Sequence, residues 1–168
     1  MTTRDLDCVI DRFSERLQSA GLLVASIDSA PWIDSLEQRL PKRLPRSFIS
    51  LVKRYAFRPF EWGPVSFFGN SSGNQESDFP AAVLHDSVMW NTALSAGFIY
   101  FAHPAGGSYD AICFDTRASR GNSESRIVRL DHESILTKEK IDIREEIASS
   151  FVALVELLLA SGSEPIAD

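Results

Sequence analysis

Long apolar runs are missing from this chain. No stretch approaches the roughly 18–20 apolar residues that a membrane span needs, and the richest run, VALVELLLA (152–160), is interrupted by Glu156. The opening segment, MTTRDLDCVIDRF, mixes acids with bases and lacks the basic start and unbroken apolar core of a secretory signal. The chain therefore reads as cytoplasmic. Cysteine is scarce: Cys8 and Cys113 stand among apolar neighbours and form no Cys-x-x-Cys pair, so both are expected to be packed, free thiols. Dithiol redox and zinc chemistry lose their support. Also absent are a Gly-x-Ser-x-Gly elbow, a Gly-Lys-Ser/Thr phosphate loop, internal repeats and low-complexity tracts.

What is present suits one globular domain. The 168 residues are 44% hydrophobic and 24% charged, an ordinary balance for a chain able to bury a sizeable core. The net charge of −6 is unevenly spread. Arg39, Lys42, Arg43, Arg46, Lys53, Arg54 and Arg58 fall in one segment without a single acid, and the remaining 148 positions carry 10 bases against 23 acids. Acidity on that scale steers a basic partner. The basic segment reads as a solvated helix face whose charges meet acids elsewhere, with nucleic-acid contact as a weaker alternative.

The apolar pattern begins helical. Leu6, Val9, Ile10, Phe13 and Leu17 recur at helical spacing before Gly21, predicting a first helix over about 4–20. VASIDSA is a short strand or a linker. Ser29 and Pro31 then start a second helix with Ile33, Leu36 and Leu40 on one face, ended by Pro41. LPRSFISLVKRY carries Phe48, Leu51, Val52 and Tyr55 on one side of a third. WGPVSFFGN reads as a strand, SSGNQESD (71–78) as a polar loop, and LHDSVMWNTALSAG as a short helix. From Gly97 onward the signals are those of strands: FIYFAH, YDAICFD and SRIVRLDHE, near 98–103, 109–115 and 126–131. YDAICFD carries apolar residues on both faces, as in a central strand covered on both sides. Asp142 and Glu145 resemble a capping box opening a last helix, with Ile143, Ile147, Phe151, Leu154, Val155 and Leu158 on one face until Gly162. Helices, then strands, then a helix predict an α+β fold with a largely antiparallel sheet and helices mainly on one side. Phe101, Ile112, Phe114, Val128, Phe151, Leu154 and Leu158 are the expected core.

Chemistry is thin. Gly106-Gly107 leads into an alternating strand and not into a helix N-terminus, so it reads as a hairpin turn and not as a phosphate cradle. His85, His103 and His132 stand far apart in sequence. Asp131, His132 and Glu133 sit together at the end of a strand, where successive side chains point to opposite faces and cannot converge on a metal without a bend. No residue is assigned a catalytic role, and neither a metal nor a cofactor is expected. Trp62, Trp90 and Tyr109 are more suggestive, because each stands at an element edge beside an acid or polar residue, as binding anchors do.

The order of these features resembles the SUKH superfamily, which includes the fungal Smi/Knr cell-wall regulators and many bacterial immunity proteins. The resemblance covers about residues 29–160, leaving 1–28 as an extra N-terminal helix on a single domain spanning 1–168. It rests on IDSLEQRLPKRLPRSFISLVKRY, on FAHPAGGSYDAICFD, and on RIVRLDHE with IASSFVALVELLL. Glu37, Leu44, Pro45, Gly106, Gly107, Tyr109, Asp115, Ser150 and Phe151 fall on pattern positions. YAFRPFEWG replaces the Asn-Gly that often follows the second of those helices. The resemblance implies a non-catalytic domain that binds proteins, in bacteria commonly an immunity protein that neutralises a toxin. The rival is a Smi/Knr-type regulatory scaffold without a toxin. A basic toxin domain, such as a nuclease, is the expected partner; no small-molecule ligand and no membrane contact are expected. The expected contact residues are Glu61 and Trp62 in the segment that departs from the pattern, Tyr109 and Asp110 after the glycine turn, and Asp131 and Glu133 at the end of the following strand, all able to share one sheet edge.

Overall fold

The helical periodicities near the N-terminus become three helices. The computed structural model describes residues 3–28, 30–71, 78–118 and 124–167. Ser29, most of the two polar loops (72–77 and 119–123) and the side chain of Trp90 lie outside what is described. Helix α1 (Thr3–Ser19) buries Leu6, Val9, Ile10, Phe13 and Leu17, and Gly21 follows with a left-handed φ of 71°. Helix α2 (Pro31–Arg39) begins on its proline and buries Ile33 and Leu36. Helix α3 (Arg46–Arg54) starts after Pro45 and buries Phe48, Leu51 and Val52. Between α1 and α2, strand β1 (Leu23–Ser26) pairs antiparallel with β2 (Tyr55–Phe57). The Glu37 carboxylate accepts from Leu44 N at 3.3 Å, which ties the α2–α3 connection together.

Seven further strands among the described residues form one antiparallel sheet. They are β3 (Phe60–Trp62), β4 (Val65–Phe67), β5 (Phe98–Pro104), β6 (Ala111–Asp115), β7 (Arg126–Leu130), β8 (Ile143–Ala148) and β9 (Ile166–Ala167), in the order β8-β7-β6-β5-β4-β3-β9. The α+β expectation holds. WGPVSFFGN is not one strand but spans the β3–β4 hairpin, which turns at Gly63 and Pro64. On one face α1, α3 and α7 (Phe151–Ala160) enclose the larger core, where Phe101 and Phe114 stack at 4.1 Å and Phe48 and Phe151 lean on them edge-on or tilted. Every residue of the expected core is buried. The opposite face carries a smaller core of Met89, Phe98, Tyr100, Cys113, Val128 and Ile135 under shorter elements: α5 (Ser87–Met89), the π-type turn Trp90–Leu94, and α6 (His132–Lys138). Strand β6 serves both, Ile112 and Phe114 facing one core and Ala111 and Cys113 the other. Helix α4 (Phe79–His85) stands at the border and gives Phe79 and Val83 to the larger core.

Three sequence expectations are corrected. The helix expected from Asp142 begins only at Phe151, where Ser150 Oγ accepts from Ala153 N at 3.1 Å; Ile143–Ala148 is an edge strand. The outer edge of β7 needs a hydrogen-bonding partner, and Arg129 and Arg126 draw Glu145 and Glu146 across at 3.3 and 3.1 Å. That non-local pairing overrides the local helical spacing. The strand ends at Leu130, the first residue of LDHE, and the rest starts a helix: Asp131 caps α6 by accepting from Ser134 N at 3.0 Å. Cys8 is exposed, because its position on α1 lies off the buried stripe, whereas Cys113 is buried and free. Burial, with Asp115 nearby, pushes the Cys113 thiol well above its ordinary value.

Candidate functional site

Two ion-paired carboxylates hold the ends of β6. At its far end Asp115 receives Arg117 Nη2 at 2.8 Å and Arg126 Nη2 at 2.7 Å. Burial pushes this carboxyl up, but the arginine hydrogen bonds more than offset it and hold it at about 2. At the near end Asp110 is buried, with Oδ2 accepting from Arg129 Nε at 2.7 Å and lying 3.4 Å from Arg144 Nε. Its Oδ1 accepts from the backbone N–H of His132 at 3.0 Å. Asp110 therefore fastens the end of the glycine turn to β7, β8 and the start of α6. Arg144 also reaches the Asp131 carboxylate at 2.9 Å. The Ser134 N–H, with help from Arg144, holds Asp131 below the usual carboxylate range.

The glycine turn is the turn expected. Gly106 and Gly107 both have φ 83°, a left-handed backbone that side chains other than glycine's seldom adopt, and neither meets an atom within 4 Å of a would-be Cβ. Gly106 N donates to Glu61 Oε1 on β3 at 3.4 Å. Just beyond it Tyr109 projects with 76% of its surface exposed, its ring 5.9 Å from that of His132.

A hollow of 410 Å³ opens beside Tyr109 on the smaller-core face, and all three histidines line it. His85 comes from the end of α4, His103 from the end of β5 and His132 from the first position of α6. A bulge makes this convergence possible. Tyr100 pairs with Cys113 and Ala102 with Ile112, so Phe101 is an extra residue in β5. Residues three apart in a regular strand face opposite ways; the extra residue returns His103 to the face of Tyr100. The Tyr100 hydroxyl then lies 2.6 Å from His103 Nδ1 and 2.5 Å from Nε2, and the two rings meet edge to face at 5.0 Å. Despite the three imidazoles, no group of three His, Cys, Asp or Glu side chains among the described residues is arranged to hold a metal ion. A smaller groove of 200 Å³, lined by Glu61, Ser66, Gly107 and Tyr109 among others, continues from it along the turn.

The six expected contact residues thus separate. Glu61 and Tyr109 share the groove, and Glu133 lies exposed in the first turn of α6. Asp110 and Asp131 are brought together by Arg144, but as framework, their charge matched by arginine. Trp62 is corrected outright. It is 1% exposed, stacks on Phe13 at 5.0 Å and donates from Nε1 to Ser163 O at 3.0 Å. Its edge position in the sequence is real, but α1 packs over it. Sequence reasoning missed the hollow, whose three histidines each stand at the end of an element. The basic segment meets acids elsewhere, as expected for Lys53, which pairs with Asp34 at 2.8 Å, and Arg54, which pairs with Asp7 and Asp11.

Among the described residues no helix is long and apolar enough to cross a membrane. Comparison with protein families shows that residues 31–155 match the SUKH_6 model, described as SMI1-KNR4 cell-wall. A search of curated proteins finds no match.

Proposed function

The chain belongs to the SMI1-KNR4 family, and from that premise we propose that it is an immunity-type inhibitor that binds a basic toxin domain and neutralises it. Domains of this family generally act through protein–protein contacts and are generally non-catalytic. The observation that carries the reading here is Tyr109. A large aromatic ring left 76% exposed, bordered by a hollow and following a glycine turn whose end is tied down through Asp110, has the features of an interface anchor. Glu61, which shares its groove, and exposed Glu133, next in the chain after His132, are acidic groups to guide a basic partner.

The test is co-expression with the protein encoded beside this chain, followed by binding kinetics. Rescue of growth supports neutralisation; binding without rescue, or a neighbouring gene of no toxicity, favours the regulatory-scaffold reading. Tyr109→Ala should speed dissociation, and reversing Glu61 and Glu133 together should chiefly slow association and reduce its salt dependence. Asp110 is unsuited to such a reversal, because a lysine there would face Arg129 and Arg144. A toxin bound equally well by all these variants would remove the surface from consideration.

A further inference from the structure

We infer that the hollow beside Tyr109 is a slot for one uncharged, flat side chain of the partner, a tyrosine or tryptophan ring. This rests on the protein-binding reading above and adds the chemistry of the group that is held. The argument starts from charge. Among the described residues no lysine or arginine lines the hollow, so they offer an anion no fixed positive charge. The one carboxylate among the described lining residues, Asp86, accepts from Val88 N at 3.0 Å and Met89 N at 2.9 Å and is engaged in starting α5, so a cation finds no free carboxylate there. Metal binding is not supported by the arrangement of the histidines.

What remains is aromatic and hydrogen-bonding surface. Phe68, Tyr100 and His103 form a mutually edge-on trio with centroids 4.8 to 5.1 Å apart. Tyr109 and His132 make a second ring pair. Small side chains, Ala81 and Ala82 from α4 and Ala111 from β6, leave the space between them open. Rings prefer offset or edge-on aromatic neighbours, and imidazole and phenol groups both donate and accept hydrogen bonds, which suits the OH of tyrosine or the NH of tryptophan. At 410 Å³ the space is near the small end of ligand pockets, which run from about 300 to 1,000 Å³, and suits one ring system better than an extended cofactor.

The experiment titrates the full chain at pH 8 with p-cresol and with indole, the side-chain analogues, following the ring resonances of Tyr109 and His132 by NMR. Acetate, methylammonium, inorganic phosphate and adenosine serve as comparison probes. Saturable shifts with p-cresol or indole, and none with the ions, are expected. Ala82→Leu, on the half-buried side of a helix, should fill the hollow and weaken both probes about tenfold or more; Tyr109→Ala, a surface change that leaves the core intact, should also weaken them. Shifts that do not saturate, or that persist unchanged in both variants, overturn the slot. Tighter binding of phosphate would make it an anion site, and tighter binding of adenosine a small-molecule site; either result overturns the assignment. A toxin held equally well by Ala82→Leu would remove the slot but leave the immunity reading, whereas probe binding without any toxin partner would do the reverse.

Discussion

On one face of the sheet, α1 of 17 residues and α7 of 10 lie with α3 over a dense set of phenylalanines; on the other, α6 of 7 residues and the short α5 with its π-type turn cover only part of the surface. The first face has its central phenylalanines buried and paired with one another. The second keeps Tyr100 and His103 at the wall of a hollow and Tyr109 in solvent. Long amphipathic helices close a sheet face continuously, while short ones leave gaps between them. Stability therefore concentrates on the first face, and the proposed recognition surface lies on the second.

The sharpest way to break that division is to trim the chain to the family-matched residues 31–155. This removes α1, whose Ile10, Phe13 and Leu17 are wholly buried, together with β1, β9 and the end of α7 that carries buried Leu158, and exposes Trp62. The burial lost rivals the roughly 5–15 kcal/mol by which a domain is stable, so the trimmed chain should show no cooperative melting transition by circular dichroism. A sharp transition near that of the full chain would mean that all of these flanking segments, α1 included, are appendages. Phe151→Ala comes next. Its ring touches those of Phe13, Phe48, Phe101 and Phe114, and its loss should cost about 3–5 kcal/mol in urea unfolding; a loss under about 1 kcal/mol would contradict the larger core.

Asp115 gives a pH-dependent effect of intermediate size. Its folded value of about 2 lies below the ordinary 3.8, so its ion pairs add stability that is full above pH 4 and is lost as pH falls from 4 toward 2. The shift corresponds to about 2 kcal/mol. Asp115→Asn should flatten that part of the acid-unfolding curve, and an unchanged slope would remove the clamp. Gly107→Ala should cost about 1 kcal/mol through its left-handed backbone alone, since a Cβ there meets nothing. Tyr109→Ala, on the proposed recognition face, should change stability by no more than about 0.5 kcal/mol while weakening the partner complex; a large stability loss would show that the ring belongs to the core.

Much of the helix-covered face was legible in the chain. The stripes of α1, α2 and α3, the strands β5 to β7 and the two-faced pattern of β6 each follow from spacing between near neighbours, as does the glycine turn. The candidate site was legible only in part. Tyr109 stands after a turn that any hairpin would expose, and the acidic balance is a matter of composition. Asp110 and Asp131 looked like surface charges because their arginine partners, Arg129 and Arg144, come from strands whose pairing no local pattern announces.

What the sequence by itself determined was therefore whatever depends on period and turn chemistry: the α+β class, the antiparallel hairpin around Gly106-Gly107 and most of the phenylalanine core. Tertiary structure alone decided the rest. Whether Ile143–Ala148 became a helix or a strand turned on an open edge of β7; whether Trp62 faced solvent turned on where α1 came to rest. The meeting of His85, His103 and His132 required one extra residue in β5 and the docking of two helices. Spacing along a chain encodes which face of its own element a side chain occupies, but the neighbour it meets there comes from segments tens of residues away, whose position only the packed whole supplies.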